Sequence, residues 1–169
     1  MALTKIGDAG MPAGAVLQVK QTEKTDTFTT TSTSFVDITG LSVTITPSSS
    51  SNKILVMYEV AATNSFYVSQ VNLVRDTTDI SQPDAASNRP TPSSARIIND
   101  TLASADGATS HHSRWYLDSP STTSAITYKL QTKSRPSNTT YVNRSEPDRD
   151  TADYDPRSVS TITVMEIAG

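Results

Sequence analysis

Cysteine is missing from all 169 residues. That removes a disulfide framework, a thiolate metal site and a thiol nucleophile at once, and leaves packing and oligomerisation to supply stability. Charge of one sign is equally scarce: 14 Lys+Arg stand against 17 Asp+Glu, for a formal net charge of -3 and an isoelectric point near 5.3. Such a balance gives no bulk attraction to nucleic acid or to an anionic membrane. Long apolar runs are lacking too. The longest, around Ile54 to Tyr58, falls far short of the roughly 20 residues that cross a bilayer. Residues 1–14 have neither the charged start nor the apolar core of a signal peptide, so neither membrane insertion nor Sec export is expected. Charged residues make up 18% and hydrophobic ones 35%.

In their place stand serine and threonine, about three residues in ten. Threonine suits half-exposed strand surfaces, which favours β-structure over helix. A chain of this length buries enough surface for one domain. Residues 1–14 mix glycine and proline with isolated apolar side chains, show no period of 2 or 3.6, and are expected to form an extended arm. The remainder, 15–169, is expected to be a single β-domain. A first strand is expected at 15–20, and the threonine-rich run 25–33 is sparse in apolar residues. In 34–45 two alternating stretches flank Gly40, which is expected to turn or bulge. The continuous apolar run 54–60 predicts a strand buried on both faces at the centre of the core. Residues 66–75 alternate and predict a hairpin with it. The proline-rich stretch 76–107 predicts a long exposed excursion with one short edge element at 95–98. Residues 110–118 and 124–132 predict two antiparallel strands. A weaker strand at 138–144, a polar acidic loop at 145–157 and a last strand at 158–167, within a sheet, complete the chain. No convincing amphipathic helix of three turns occurs. About eight short strands separated by turn signals predict an all-β fold: an antiparallel two-sheet β-sandwich of jelly-roll type with an extended N-terminal arm.

Chemistry is hard to find in this pattern. His111 and His112 are neighbours on a predicted strand and so point to opposite faces, which prevents them from chelating one ion together; both are expected at the surface. Asp148, Asp150, Asp153 and Asp155 share one loop, but Arg149 and Arg157 interrupt them, and the spacing lacks the glycine and terminal glutamate of an EF-hand. No G-x-S-x-G elbow and no phosphate-cradling glycine loop is present. No cofactor, no metal and no catalytic residue is therefore assigned, and enzymatic activity is not expected. The aromatic residues Trp115, Tyr116, Tyr141 and Tyr154 are candidates for a sugar- or protein-binding surface, with core or trimer-interface packing as the competing role for Trp115 and Tyr116.

The stretches GAVLQV at 14–19, Lys24 to Thr33, FVDITGLSVTITP at 35–47 and NKILV at 52–56, with TITVMEI at 161–167, resemble small tail-fibre-like virion proteins of marine and freshwater bacteriophages, cyanophages among them. The likeness brackets most of the chain and leaves 76–107 unmatched. It implies a β-sandwich that assembles as a homotrimer on the outer surface of a virion and attaches to a tail or capsid protein. In that setting the arm, with Leu3, Ile6, Met11 and Pro12, is the docking element. The loops 76–107 and 145–157 would meet a glycan or protein of the host surface. The alternative implied placement is a capsid decoration, or cement, protein that stabilises the head.

Overall fold

A computed structural model describes residues 11–64, 68–97, 109–151 and 155–169. In chain order the strands are β1 (Val16–Lys24), β2 (Phe28–Thr30), β3 (Val36–Ile45), β4 (Lys53–Asn64), β5 (Val68–Arg75), β6 (Thr78–Ile80), β7 (Ser94–Ile97), β8 (Ser110–Asp118), β9 (Ile126–Thr132), β10 (Thr140–Val142) and β11 (Ser160–Ile167). They form two antiparallel sheets packed face to face. In the first, β1 pairs with β11, β11 with β4 and β4 with β8. The short strands β2 and β10 lie end to end with β1 and β11 and carry those two lines onward. In the second sheet β3 pairs with β9 and β9 with β5, and the far edge of β5 is shared by β6 and β7. Taking β6 and β7 as one interrupted strand, and β2 and β10 as continuations, leaves eight lines in the orders 1-8-3-6 and 2-7-4-5. This is the jelly roll, as the spacing of turns predicts.

The core lies between the sheets. Ile54, Val56, Tyr58 and Val60 from β4, Ile162 and Val164 from β11, Leu41, Val43 and Ile45 from β3, and Tyr128 and Leu130 from β9 are all buried in it. Period-2 alternation brings them there, because every second side chain of a strand faces the same way. In β3 the two alternating stretches are out of phase. Ile38 and Leu41 both face the core three residues apart, and the β3–β9 ladder skips between Asp37 and Ser42. Gly40, at φ +86, takes the left-handed conformation that this bulge needs.

Several expectations are corrected. β4 is not buried on both faces over 54–60: Leu55 and Met57 are half-exposed and Glu59 is exposed, so this stretch is amphipathic with an apolar outer row. The strand buried on both sides is β5, whose outward Asn72 is covered by the excursion after it. Asn72 accepts a bond from Gln82 Nε2 (2.5 Å) and donates one to Asp79 (2.8 Å). β4 and β5 make no hairpin, since they belong to opposite sheets, and the same holds for β8 and β9. Neighbours in sequence commonly pair, but a jelly roll sends its chain back and forth between layers. Part of the excursion 76–107 is less free than expected: β6 and β7 both zip to β5, and Ser93 is buried with its hydroxyl bonded to the Ile80 carbonyl (3.1 Å).

Candidate functional site

The registers give the sandwich two distinct ends. At one end meet the start of β1, the end of β11, the start of β4 and the end of β8, as the pairs Val16↔Ile167, Lys53↔Ile167 and Ile54↔Asp118 require. The arm leaves from here. Its root is tied down by backbone bonds from Gly14 N to Ala168 O (2.8 Å) and from Ala168 N to Ala15 O (2.9 Å), with a turn from Ala15 N to Pro12 O (3.0 Å). Met11, 37% exposed, borders a shallow cleft of about 340 Å3 with Leu17, Ser48, Asn52 and Ala168. Leu3 and Ile6 lie outside the described residues. The floor of this end is built on Glu166. Burial alone would push its carboxyl up. Hydrogen bonds from Asn52 Nδ2 (2.6 Å), Gln18 Nε2 (2.6 Å) and the Ser48 amide (2.6 Å) outweigh that and hold it below the usual carboxylate range. The serine-rich turn after Pro47 is thus nailed to the last strand beside the arm root.

The opposite end carries the segments 133–139, 143–151 and 155–159. The acidic loop is crossed by its own arginines rather than gathered around an ion. Asp155 accepts from Arg149 Nε (2.6 Å) and Ser145 Oγ (2.7 Å), which together hold its carboxyl down at about 2. Asp148 lies 3.2 Å from Arg144 and 2.9 Å from Arg157. Among the described residues no three His, Cys, Asp or Glu side chains gather as a metal site would require; Asp153 lies outside them. Tyr141 is half-buried beneath the Arg144 guanidinium, 4.6 Å from its ring centre, so its face is already occupied. Tyr154, the other aromatic candidate of this region, lies outside the described residues.

β8 separates the remaining candidates by parity. His111 points outward to Glu59 (2.9 Å). His112 points inward and is buried, with its Nε2 2.7 Å from Ser69 Oγ and its Nδ1 2.9 Å from Ser94 Oγ. The alternation argument for the pair holds, while the surface placement of His112 is corrected: a polar residue sits in the core here because both ring nitrogens find a hydroxyl. Tyr116 also turns inward and packs against the core. Trp115 is 74% exposed and Leu117 48%, on the outer face. The chain matches no protein-family model and no curated protein.

Around Trp115 the outer face of the first sheet is apolar. The register sets Trp115 opposite Met57, and sets Leu117, Leu55, Met165 and Val19 in one row across four strands. Sequence reasoning singled out Trp115 alone. The signal for Leu55 and Met57 is the continuous apolarity of 54–60, which reads as burial inside the sandwich but belongs to a second, outward row; Val19, Leu117 and Met165 join that row only through the register.

Burial, together with the Arg96 guanidinium and His111, pushes the His112 imidazole down to about 4. Its depressed value means that the unfolded chain takes up a proton between pH 6.5 and about 4 while the folded chain does not. Stability is therefore full above pH 6.5 and falls as the pH drops through this window, by about 3 kcal/mol in total. The carboxylates held low, Glu166 among them, lose their contribution only as the pH falls below their ordinary range. Urea titrations at pH 7 and pH 5 should show about 2 kcal/mol of this loss in the native chain and a much smaller one in His112→Gln. Equal losses in both would show that His112 is not the group responsible.

Proposed function

We propose that this protein is a non-enzymatic structural component of the outer surface of a bacteriophage particle, of tail-fibre type. It works as a homotrimer that is held to another virion protein by its N-terminal arm and offers its loops to the host surface. The observation that carries this reading is the polarity of the sandwich: the arm root and the segments 133–139, 143–151 and 155–159 lie at opposite ends of the strands. An element that must be gripped at one end and touch a cell at the other needs that arrangement, with a rigid scaffold between. The resemblance of the framework strands β1, β3, β4 and β11 to tail-fibre-like proteins supports the same assignment. Multivalent display by three copies would let individually weak host contacts add up.

Deleting residues 1–10 leaves the closure between Gly14 and Ala168 in place. The truncated protein is expected to be soluble and folded, and to be missing from particles assembled in its presence, while the full chain is incorporated. Incorporation of the truncation at the normal level, measured by quantitative mass spectrometry of purified particles, would overturn the docking role of the arm.

A further inference from the structure

The two sheets treat solvent differently. On the outside of the second sheet, Thr44 and Thr127 share a hydrogen bond (2.8 Å), and Asp37 takes bonds from Lys129 (2.8 Å) and Gln131 (2.7 Å). This is the polar outer face that an antiparallel sheet presents to water. The first sheet departs from the rule. Its outward positions form level rows across β1, β11, β4 and β8. One is Val19, Met165, Leu55 and Leu117, and the next is Gln21, Thr163, Met57 and Trp115. The row after that, toward the loop end, is Glu23, Thr161, Glu59 and Ser113, so the apolar band is bordered by polar side chains.

We infer that this face of the first sheet is where a second copy of the chain packs, with Trp115 at the contact. The inference rests on the homotrimer reading above and names its interface. The size fits. Four strands of eight to twelve residues make a face of roughly 19 by 26 Å at ordinary strand spacing and rise. Such a footprint supplies a large part of the about 800 Å2 that a standard interface covers on each partner. The composition fits as well, since interface cores gather Trp, Met and aliphatic side chains and leave charge to the rim. The level rows suit copies related by an axis along the strands. The Val19–Met165–Leu55–Leu117 row of one copy then meets the same row of the next, the β8 side of one copy faces the β1 side of the next, with Trp115 covering the Gln21 side of its neighbour, and the arm roots lie together at one end.

Trp115 is the only tryptophan, so its fluorescence reports this contact alone. The native protein is expected to sediment at three times the 18.1 kDa of one chain with blue-shifted emission. Trp115→Glu and Leu117→Glu should each fall to the mass of one chain with an unchanged circular dichroism spectrum, and Leu117→Glu should show red-shifted emission. Thr44→Glu, on the outer face of the second sheet, should stay oligomeric. A native protein that is monomeric at micromolar concentration would overturn the homotrimer reading and this inference together. A native oligomer with solvent-like emission, or one in which Trp115→Glu and Leu117→Glu remain oligomeric, would overturn the interface alone and leave the homotrimer standing. Dissociation by Thr44→Glu would move the interface to the other sheet and likewise overturn it.

Discussion

Asp118→Ala is expected to remove about 3–5 kcal/mol of folding stability, the cost of deleting a buried carboxylate that pairs with a half-buried guanidinium and accepts from a buried phenol. Asp118 ends β8 in the first sheet and is 4% exposed. Its carboxylate accepts two bonds from Arg75 Nη1 (3.0 and 2.8 Å) at the end of β5, and one from Tyr128 Oη (2.7 Å) on β9. Both partners belong to the second sheet, so this one side chain clamps the two layers at the arm end. Burial and then the neighbouring carboxylate push the Tyr128 phenol above its ordinary value, and its proton stays in place as a donor. Without Asp118 the buried phenol loses its acceptor outright, while the guanidinium, 26% exposed, keeps partial solvation. Domains are ordinarily stable by about 5–15 kcal/mol, so the loss is a large share of the total. With a urea slope of about 2 kcal/mol per molar, the unfolding midpoint should drop by about 2 M. Tyr128→Phe removes one donor and leaves the ion pair, and should cost only about 1–2 kcal/mol. An unchanged midpoint for Asp118→Ala would show that the sheets are not clamped there.

Asn143→Ala is expected to cost about 3 kcal/mol by two separable routes, unmade hydrogen bonds and backbone strain. Asn143 is completely buried where β1 gives way to β2 and β10 to the loop before β11. Its Nδ2 donates to the carbonyls of Lys24 (2.8 Å) and Asp26 (2.9 Å), and its Oδ1 accepts from Ser160 Oγ (2.6 Å). Its own amide donates to Ala61 O (2.9 Å). The side chain thus ties the end of β1 and the turn after it to the start of β11, and the amide adds β4, across the gap in the first sheet. It does so at φ +62, a left-handed conformation that asparagine tolerates and alanine does not. Asn143→Gly loses the same side-chain bonds without that strain, and should be more stable than Asn143→Ala by about 1 kcal/mol. The reverse order of the two variants in thermal unfolding would contradict the assigned backbone role.

The amount of this molecule legible in its sequence follows from the range of each signal. The bulge at Gly40 was legible because the phase break between Ile38 and Leu41 is local. β11 was legible because Ile162 and Val164 alternate with Thr161 and Thr163, although the buried Glu166 takes the next inner position in place of an apolar residue. β2 escaped notice, since Phe28 is the lone apolar residue of a three-residue strand that exists by pairing with β10. The partners of β5 and β9 were misassigned because sheet membership depends on the route of the chain between layers, which alternation does not encode. The same limit applies to chemistry. Parity placed His111 and His112 on opposite faces, but only the fold brings Ser69 and Ser94 to the inner one. Trp115 drew attention as an aromatic side chain, whereas its row with Met57 and the neighbouring Leu117–Leu55–Met165–Val19 row appear only once the register across four strands is known. Leu3, Ile6 and Tyr154 fall outside the described residues, and the proposed docking role of the arm stands on Met11, Pro12 and the closure at Gly14.

The central claim concerns position on a particle, and imaging tests it most directly. In cryo-electron microscopy of phage particles assembled in the presence of this protein, the proposed function predicts a small number of three-fold density features at the tail, with the arm roots toward the particle and the segments 133–139, 143–151 and 155–159 facing outward. Many copies spread over the head would contradict the tail-fibre reading in favour of capsid decoration, and a particle without the protein would contradict a virion role altogether.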